Sequence, residues 1–337
     1  MDDSKVFVGL DYHQASVQVC VMEHRGEVLL NKSGPNDAGA IIEAVQRHGN
    51  VGGVAIESCS GAANLAEELI VRAGWSVDLA HPGFVNRMKQ NPDKSDFTDA
   101  GMLADLERVG YLPKVWLAPH DVRELRYLIR YRQQLANERR NAKLRIRALL
   151  RDQRVRGPHV RAWTNPWMAW LRSTTSLSEQ SRWIVDRHLK QLDELKQDIA
   201  EAEVRLGRLT VTDSLVHALM QQSGIGPVTA WTIRAEIGRF DRFRNGKQLS
   251  RFCGLSPRNA SSGTRQADAG LIKAGNRHLR AVLIEAAHRL ILFDKEWGRF
   301  ADRLLSGGKA KCVVVAAVAN RWMRRLYHQM QPSRLAA

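Results

Sequence analysis

The sequence predicts a mixed α/β domain, then a long helical arm, then a mainly helical C-terminal domain. Three observations lead there. Short β-branched runs alternate with amphipathic stretches over the first third, charge surrounds a partial apolar stripe from about residue 121 to 207, and glycine-punctuated helical runs follow from about Thr212. The expected domains are residues 1–118, 119–211 and 212–337, and 337 residues suffice for two or three domains, each with its own core.

Taken in order, "KVFVGLDYH", "SVQVCVMEH" and "EVLLNKSG" read as a three-stranded antiparallel meander, because polar turns separate short β-branched runs. A helix "NDAGAIIEAVQRHG", a strand "GGVAIES", a helix "AANLAEELIVRAG" and a strand "WSVDLAHP" complete a mixed sheet. "FVNRMKQ" leads on to "NPDKSDFTDAGMLADL", which reads as helical, and "LPKVWLAP", with its two prolines, reads as a link out of the domain. The arm opens with "VRELRYLIRYRQQLANERRNAKLRIRALLRDQRVR", where Leu125, Leu128, Leu135, Leu144 and Leu149 mark the apolar stripe. A proline-bearing segment with Trp163, Trp167 and Trp170 interrupts it. A second helix with Ile184, Leu189, Leu192, Leu195 and Ile199 returns as the antiparallel partner of a coiled coil.

Composition narrows the function. The formal charge is +16, a positive field of the kind that meets phosphate backbones, with an inert basic surface as the bland alternative. Cys20, Cys59, Cys253 and Cys312 are far apart and show neither disulfide nor zinc-ligand spacing. The N-terminus "MDDSKVF" lacks the features of a secretory signal, and the run "CVVVAAVA" is far shorter than the ~20 residues that span a bilayer, so a cytoplasmic protein is expected.

The carboxylates carry the chemistry. Asp11 ends the apolar run "VFVGLD" and Glu57 ends "VAIE", and a charge at such a position is costly unless paired or bound to metal. Asp96 and Asp99, three apart on one helix, repel each other and call for a positive partner. The four together would form an acidic cluster suited to hard cations such as Mg²⁺, two of which act in phosphodiester transfer. Asp93 and Asp105 are rivals for the same site. The order of strand, strand and helix is that of an RNase H-like (RuvC-like) nuclease domain.

In "CGLSPRNASSGTRQADAGLIKAGNRHLRAVLIEAAHRL", Ser261 and Ser262 precede Gly263 between Arg258 and Arg265. A serine there can approach a phosphate closely, and an ordinary Ser/Gly loop is the competing explanation. Lys273, Arg277 and Arg280 lie near the start of the next helix, whose Leu279, Leu283 and Ala287 are expected to face the core. "SGIGP", with Gly224 and Gly226, has the pattern of a helix-hairpin-helix, whose glycines let backbone N–H groups meet a phosphate; a plain αα-hairpin explains it equally. The arm's Arg139, Arg140, Lys143, Arg145, Arg147 and Arg151 repel one another and call for a polyanion. Arginine planes and tryptophans there are also a means of stacking on unpaired RNA bases, although core packing is the expected use of at least two of the rings.

With these residues in view, the chain resembles the DEDD-type transposases of the insertion sequence 110 family, the bridge-RNA-guided serine recombinases. The resemblance runs nearly end to end, on "VGLDYH", "AIESCSGAANLAEELIVRAG", "KSDFTDAGMLA", "VRELRYLIRYRQQL", "SGIGPVTA", "CGLSPRNASSG" and "IKAGNRHLR". It implies a RuvC-like domain in which Asp11, Glu57, Asp96 and Asp99 hold two catalytic cations, Mg²⁺ or Mn²⁺. It also implies a C-terminal transposase domain whose serine, best matched by Ser262 with Ser261 adjacent, attacks DNA and becomes covalently linked to it. Further implied are donor and target DNA, a structured guide RNA, and a dimer or tetramer in which the two domains meet across subunits. The rivals are a metal-dependent Holliday-junction-type nuclease that uses water instead of serine, and a catalytically silent nucleic-acid-binding relative.

Overall fold

The computed structural model describes residues 5–88, 95–259, 268–272 and 274–331. The chain divides into two compact units, Met1–Pro119 and His120–Ala337.

The N-terminal unit is built on a six-stranded sheet in the order β3-β2-β1-β4-β5-β6. The expected meander is present: β1 (Lys5–Tyr12) pairs antiparallel with β2 (Ser16–Glu23), and β2 with β3 (Val28–Pro35). After α1 (Ala38–Gln46), β4 (Asn50–Glu57) adds parallel to β1; after α2 (Ala62–Ala73), β5 (Val77–Ala80) adds parallel to β4. The segment that leads on from β5 forms α3 (Pro82–Met88), and α4 (Asp96–Arg108) follows. The expected link "LPKVWLAP" contributes an edge strand, β6 (Lys114–Val115), antiparallel to β5. Strand alternation assigns the two faces. Val6, Val8, Leu10, Val54 and Ile56 pack with α1 and α2, whereas Cys20, Met22 and Ala55 belong to the face covered by α3 and α4.

The C-terminal unit opens with α5 (His120–Asp152), crosses through α6 (Asn165–Ser173) and returns along α7 (Glu179–Leu209). The pairing is antiparallel: Leu125 and Ile129 share a core with Leu206, Leu135 with Leu195 and Ile199, and Ala142, Ile146 and Leu150 with Val185 and Leu189. Two positions of the expected stripe are corrected. Leu144 is 48% exposed and Ile184 38%, because the face that meets the partner helix runs through Ala142, Ile146 and Val185 instead. At the tip, Trp163, Trp167 and Trp170 stack in succession at 4.6 and 5.6 Å, and Trp167 is buried. These rings are the core of the tip.

Eight more elements follow among the described residues. α8 (Ser214–Met220), α9 (Pro227–Ile237) and α10 (Gly246–Phe252) precede a two-stranded ladder of β7 (Pro257–Asn259) and β8 (Asp268–Leu271). α11 (Arg277–Phe293), α12 (Lys295–Ser306) and α13 (Lys311–Gln329) close the unit. Leu279, Leu283 and Ala287 are fully buried, as expected. Among the described residues no helix is long and apolar enough to cross a membrane.

Candidate active site and nucleic-acid contacts

The alternation that buries Val8 and Leu10 under α1 and α2 turns Gly9 and Asp11 toward α4. The same logic on β4 buries Ile56 and turns Ala55 and Glu57 toward α4. Because β1 and β4 are parallel neighbours with Leu10 opposite Ile56, both carboxylates emerge at the same end of the sheet. The thiol of Cys59, just past β4, registers both: desolvation raises its pKa first, and the charges of Glu57 and Asp11 push the same way against an amide contact from Ala62.

α4 reaches this end at its first turn. Ser95 caps it, accepting from the Thr98 N–H at 3.2 Å, so Asp96 and Asp99 fall in the first turn, where the helix N-terminus favours negative charge. His13 completes the arrangement: its Nε2 lies 3.4 Å from Asp11 and 3.2 Å from Asp96. One donor atom from each of Asp11, His13 and Asp96 lies within 4.8 Å of the others. The helix N-terminus is the positive partner that the Asp96–Asp99 spacing calls for, and the His13 ring lies against Asp96.

Small residues permit this approach. A Cβ on Gly9 would lie 2.0 Å from the Ala100 carbonyl oxygen and 2.5 Å from the Ala104 nitrogen. A polar chain then fixes the helix start: Gln18, opposite Asp11 on β2, donates to Asn31 at 2.7 Å, and Asn31 donates to the Phe97 carbonyl at 2.9 Å. Sequence reasoning missed His13, Gln18 and Asn31. His13 stands in the quoted "VGLDYH", but a lone histidine past a strand end carries no periodic signal, and Asn31 meets Phe97 across 66 positions. The rival Asp105 is engaged by Arg108, and Asp93 lies outside the described residues.

The donor set that fits a divalent cation pairs the Asp11 carboxylate of a strand with the Asp96 carboxylate of a helix beside His13, and Glu57 and Asp99 do not fall in that group. His13 Nε2 is a nitrogen donor, less suited to Mg²⁺ than the oxygens around it. It stands between the Asp11 and Asp96 carboxylates.

In the C-terminal unit, Ser261, Ser262, Arg265 and Lys273 lie outside the described residues. Their flanks are described. Arg258 is exposed on β7, and Arg280 donates to the Ile272 carbonyl at 3.3 Å, which makes it a brace of this region as well as a cation. Asn276 caps α11, accepting from the N–H groups of His278 and Leu279 at 2.9 and 3.1 Å. The Asn276 amide in turn donates to Glu236 at 2.7 Å. Glu236 is buried, and Arg130 grips it in a two-point pair at 2.7 and 2.9 Å. Burial pushes its pKa up, but the bonds from Arg130 and Asn276 and the charge of Arg126 outweigh that and hold it below the ordinary carboxylate value. Arg277 opens with His278 onto a cavity of about 320 Å³ beside this group.

The glycine turn joins α8 to α9. Gly224 is left-handed, with φ +80°, and a Cβ there would meet Leu290 at 2.9 Å; nothing lies within 4 Å of a Cβ on Gly226. The turn and Arg289, which sequence reasoning did not single out, line a common open cavity. On the arm, Arg139, Arg140, Lys143 and Arg147 have no carboxylate partner among the described residues. Lys143 lies over the Trp163 ring, 5.0 Å from its centroid, and burial followed by the charge of Arg139 lowers its pKa.

Residues 216–302 match the family model described as Transposase IS116/IS110/IS902 family, and residues 8–153 match the transposase model DEDD_Tnp_IS110. The chain is similar to the putative transposase y4qE of Sinorhizobium fredii, 27% identical over 65% of this chain but only 54% of that relative, about half its length. It is 28% identical to the probable family 20 transposase of Pseudomonas aeruginosa, over 81% of this chain and 82% of the relative. It is 24% identical to the transposase for insertion sequence element IS1111A of Coxiella burnetii, over 86% and 79%.

Proposed function

Because this chain belongs to the IS110/IS116 family of transposases, enzymes that cut and transfer DNA, we propose that it recombines an insertion sequence through a covalent serine–DNA link. Asp11, Glu57, Asp96 and Asp99 are its metal-binding set, in a RuvC-like domain, and Ser262 is its nucleophile. The convergence of Asp11 and Asp96 on His13, with Glu57 on the same sheet face, carries this reading. Held by Asp11, Glu57, Asp96 and Asp99, two Mg²⁺ or Mn²⁺ ions would supply charge to polarise the phosphate and to favour ionisation of the serine hydroxyl.

The Ser262 oxygen bonds to phosphorus as the phosphorus–oxygen bond to the leaving strand breaks, and that strand's oxygen takes up a proton. The ester conserves the energy of the broken bond, so a second strand's hydroxyl can later displace the serine. Gly224, Gly226, Arg258, Arg265, Lys273, Arg277 and Arg280 hold backbone phosphates of donor and target DNA near this chemistry. Arg139, Arg140, Lys143 and Arg147, without a carboxylate partner among the described residues, suit a structured guide RNA, and a dimer or tetramer holds the two DNAs.

The test uses full-length protein with the RNA that co-purifies, and a labelled DNA carrying the element's ends. Ser262→Ala is expected to abolish the protein–DNA adduct on denaturing gels, and Asp11→Asn to slow its formation on the order of a thousandfold, as loss of several kcal/mol of metal-assisted stabilisation requires. Cleavage that persists in Ser262→Ala would instead assign hydrolysis by water, and an adduct in Ser262→Ala that is lost in Ser261→Ala would move the nucleophile by one residue. For the arm, Arg140→Glu with Arg147→Glu should lower affinity for the co-purifying RNA and flatten its salt dependence by about 1.4, at about 0.7 per phosphate contact. Unchanged RNA binding in that double variant removes the arm from RNA recognition.

A further inference from the structure

A groove of about 730 Å³ lies between α13, the Phe300 ring of α12 and the β7–β8 ladder. Its shape follows from the sequence of α13. Val314, Val315, Val318, Ala319 and Trp322 face the core, which leaves Ala316 and Ala317 on the opposite side as a hollow floor. One turn further the same side becomes cationic, with Arg321, Arg324 and Arg325 along its edge and His328 beyond them.

These cations differ in what holds them. Arg325 is engaged by Glu296 at 2.7 Å. The guanidinium carbon of Arg321 lies over the Phe300 ring, 4.9 Å from its centroid. Neither Arg321 nor Arg324 has a carboxylate partner among the described residues. Gly246 packs against the backbone of Arg324, where a Cβ would come within 3.0 Å of Cα, so the base of that side chain is fixed.

An apolar floor beside Arg321 and Arg324, which have no carboxylate partner among the described residues, has a specific complement. Paired DNA offers phosphates but keeps its base faces stacked away, so it would leave the floor and the Arg321–Phe300 stack unused. An unpaired nucleotide offers both a phosphate and a planar face. We propose that this groove binds unpaired nucleotides of a DNA strand, with phosphates on Arg321 and Arg324 and a base against the Phe300 side of the groove. DNA is chosen over RNA because Pro257 and Leu271, paired across the β7–β8 ladder, form one wall, and the sequence that joins those strands contains Ser262. That choice rests on the serine assignment above.

Binding is measured by fluorescence anisotropy on the full-length protein in EDTA, so that no cleavage intervenes. The probes are a labelled single-stranded DNA, the same sequence as duplex, and the same sequence as single-stranded RNA. Arg321→Glu with Arg324→Glu is expected to weaken single-stranded DNA about tenfold and to lower its salt slope by about 1.4, two phosphates at about 0.7 each, with duplex affinity changed less than about twofold. A second variant, Ala317→Met, fills the floor without touching charge; it should weaken the single strand while leaving the salt slope unchanged. An equal loss on duplex and single strand, no loss in either variant, or a loss confined to RNA would overturn the proposal. Should Ser262→Ala still cleave DNA while the charge reversal weakens single-strand binding, the serine assignment fails and the groove stands.

Discussion

Gly9→Ala is expected to cost at least about 3 kcal/mol in the N-terminal unit, at the upper end of what overpacking does in cores, and to lower its melting temperature by about 10 °C. The new Cβ would stand 2.0 and 2.5 Å from backbone atoms of α4, at Ala100 and Ala104. No side-chain rotation relieves a clash with backbone, so the whole helix must move out. Asp96 and Asp99 ride on its first turn, and on the metal-binding role proposed for them a misplacement of about 1 Å costs on the order of a hundredfold in rate. DNA cleavage should therefore fall even at a temperature where the variant is folded. Gly34→Ala is the matched control, since nothing lies within 4 Å of its added Cβ. Wild-type melting and cleavage in Gly9→Ala would show that α4 is not seated by this contact.

Glu236→Ala should destabilise the C-terminal unit by about 3–5 kcal/mol, the usual consequence of removing one partner of a buried ion pair. Arg130 would lose both its bonds and Asn276 would lose the acceptor that orients it at the head of α11. Glu236→Gln keeps the shape and one acceptor, so a smaller loss is expected. The pH dependence follows from the lowered pKa of Glu236. A carboxyl whose folded value lies below its unfolded value, near 4.3 for glutamate, contributes stability that is complete above about that pH. The contribution is lost as pH falls through the folded value, and chemical denaturation between neutral pH and pH 3 should show this slope in wild type but not in Glu236→Ala. Equal slopes in the two proteins would mean that the pair contributes nothing to stability.

Much of the N-terminal unit is legible in the sequence because strand alternation there is nearly uninterrupted. The same alternation that marks Val6, Val8 and Leu10 as core places Asp11 on the opposite face, and the end of "VAIE" does the same for Glu57. β6 was not legible, since a two-residue strand between prolines differs from a linker only through its pairing with β5. The arm's helices were legible and their contact face only partly so: a leucine count scores Leu144 as it scores Leu135, while only the spacing through Ala142 and Ile146 follows the partner helix. Interactions across long sequence distances, such as Asn31 with Phe97 or Arg130 with Glu236, leave no local pattern to read. The cations of α13 escaped notice because on a helix they look like an ordinary solvated face until the hollow at Ala316 and Ala317 is seen beside them.

The arm acts as a measure of length. α5 has 33 residues and at 1.5 Å per residue extends about 50 Å. Its base is built into the C-terminal core through Leu125 and Ile129, while its tip is closed by the tryptophans packed with Ala142 and Ile146. With both ends anchored in packed side chains, reach and azimuth are written as a residue count. Seven residues added to each of α5 and α7 would carry the tip about 10 Å further and turn it only about 20°, whereas one residue added to each would leave the reach almost unchanged and swing the basic face through about 100°.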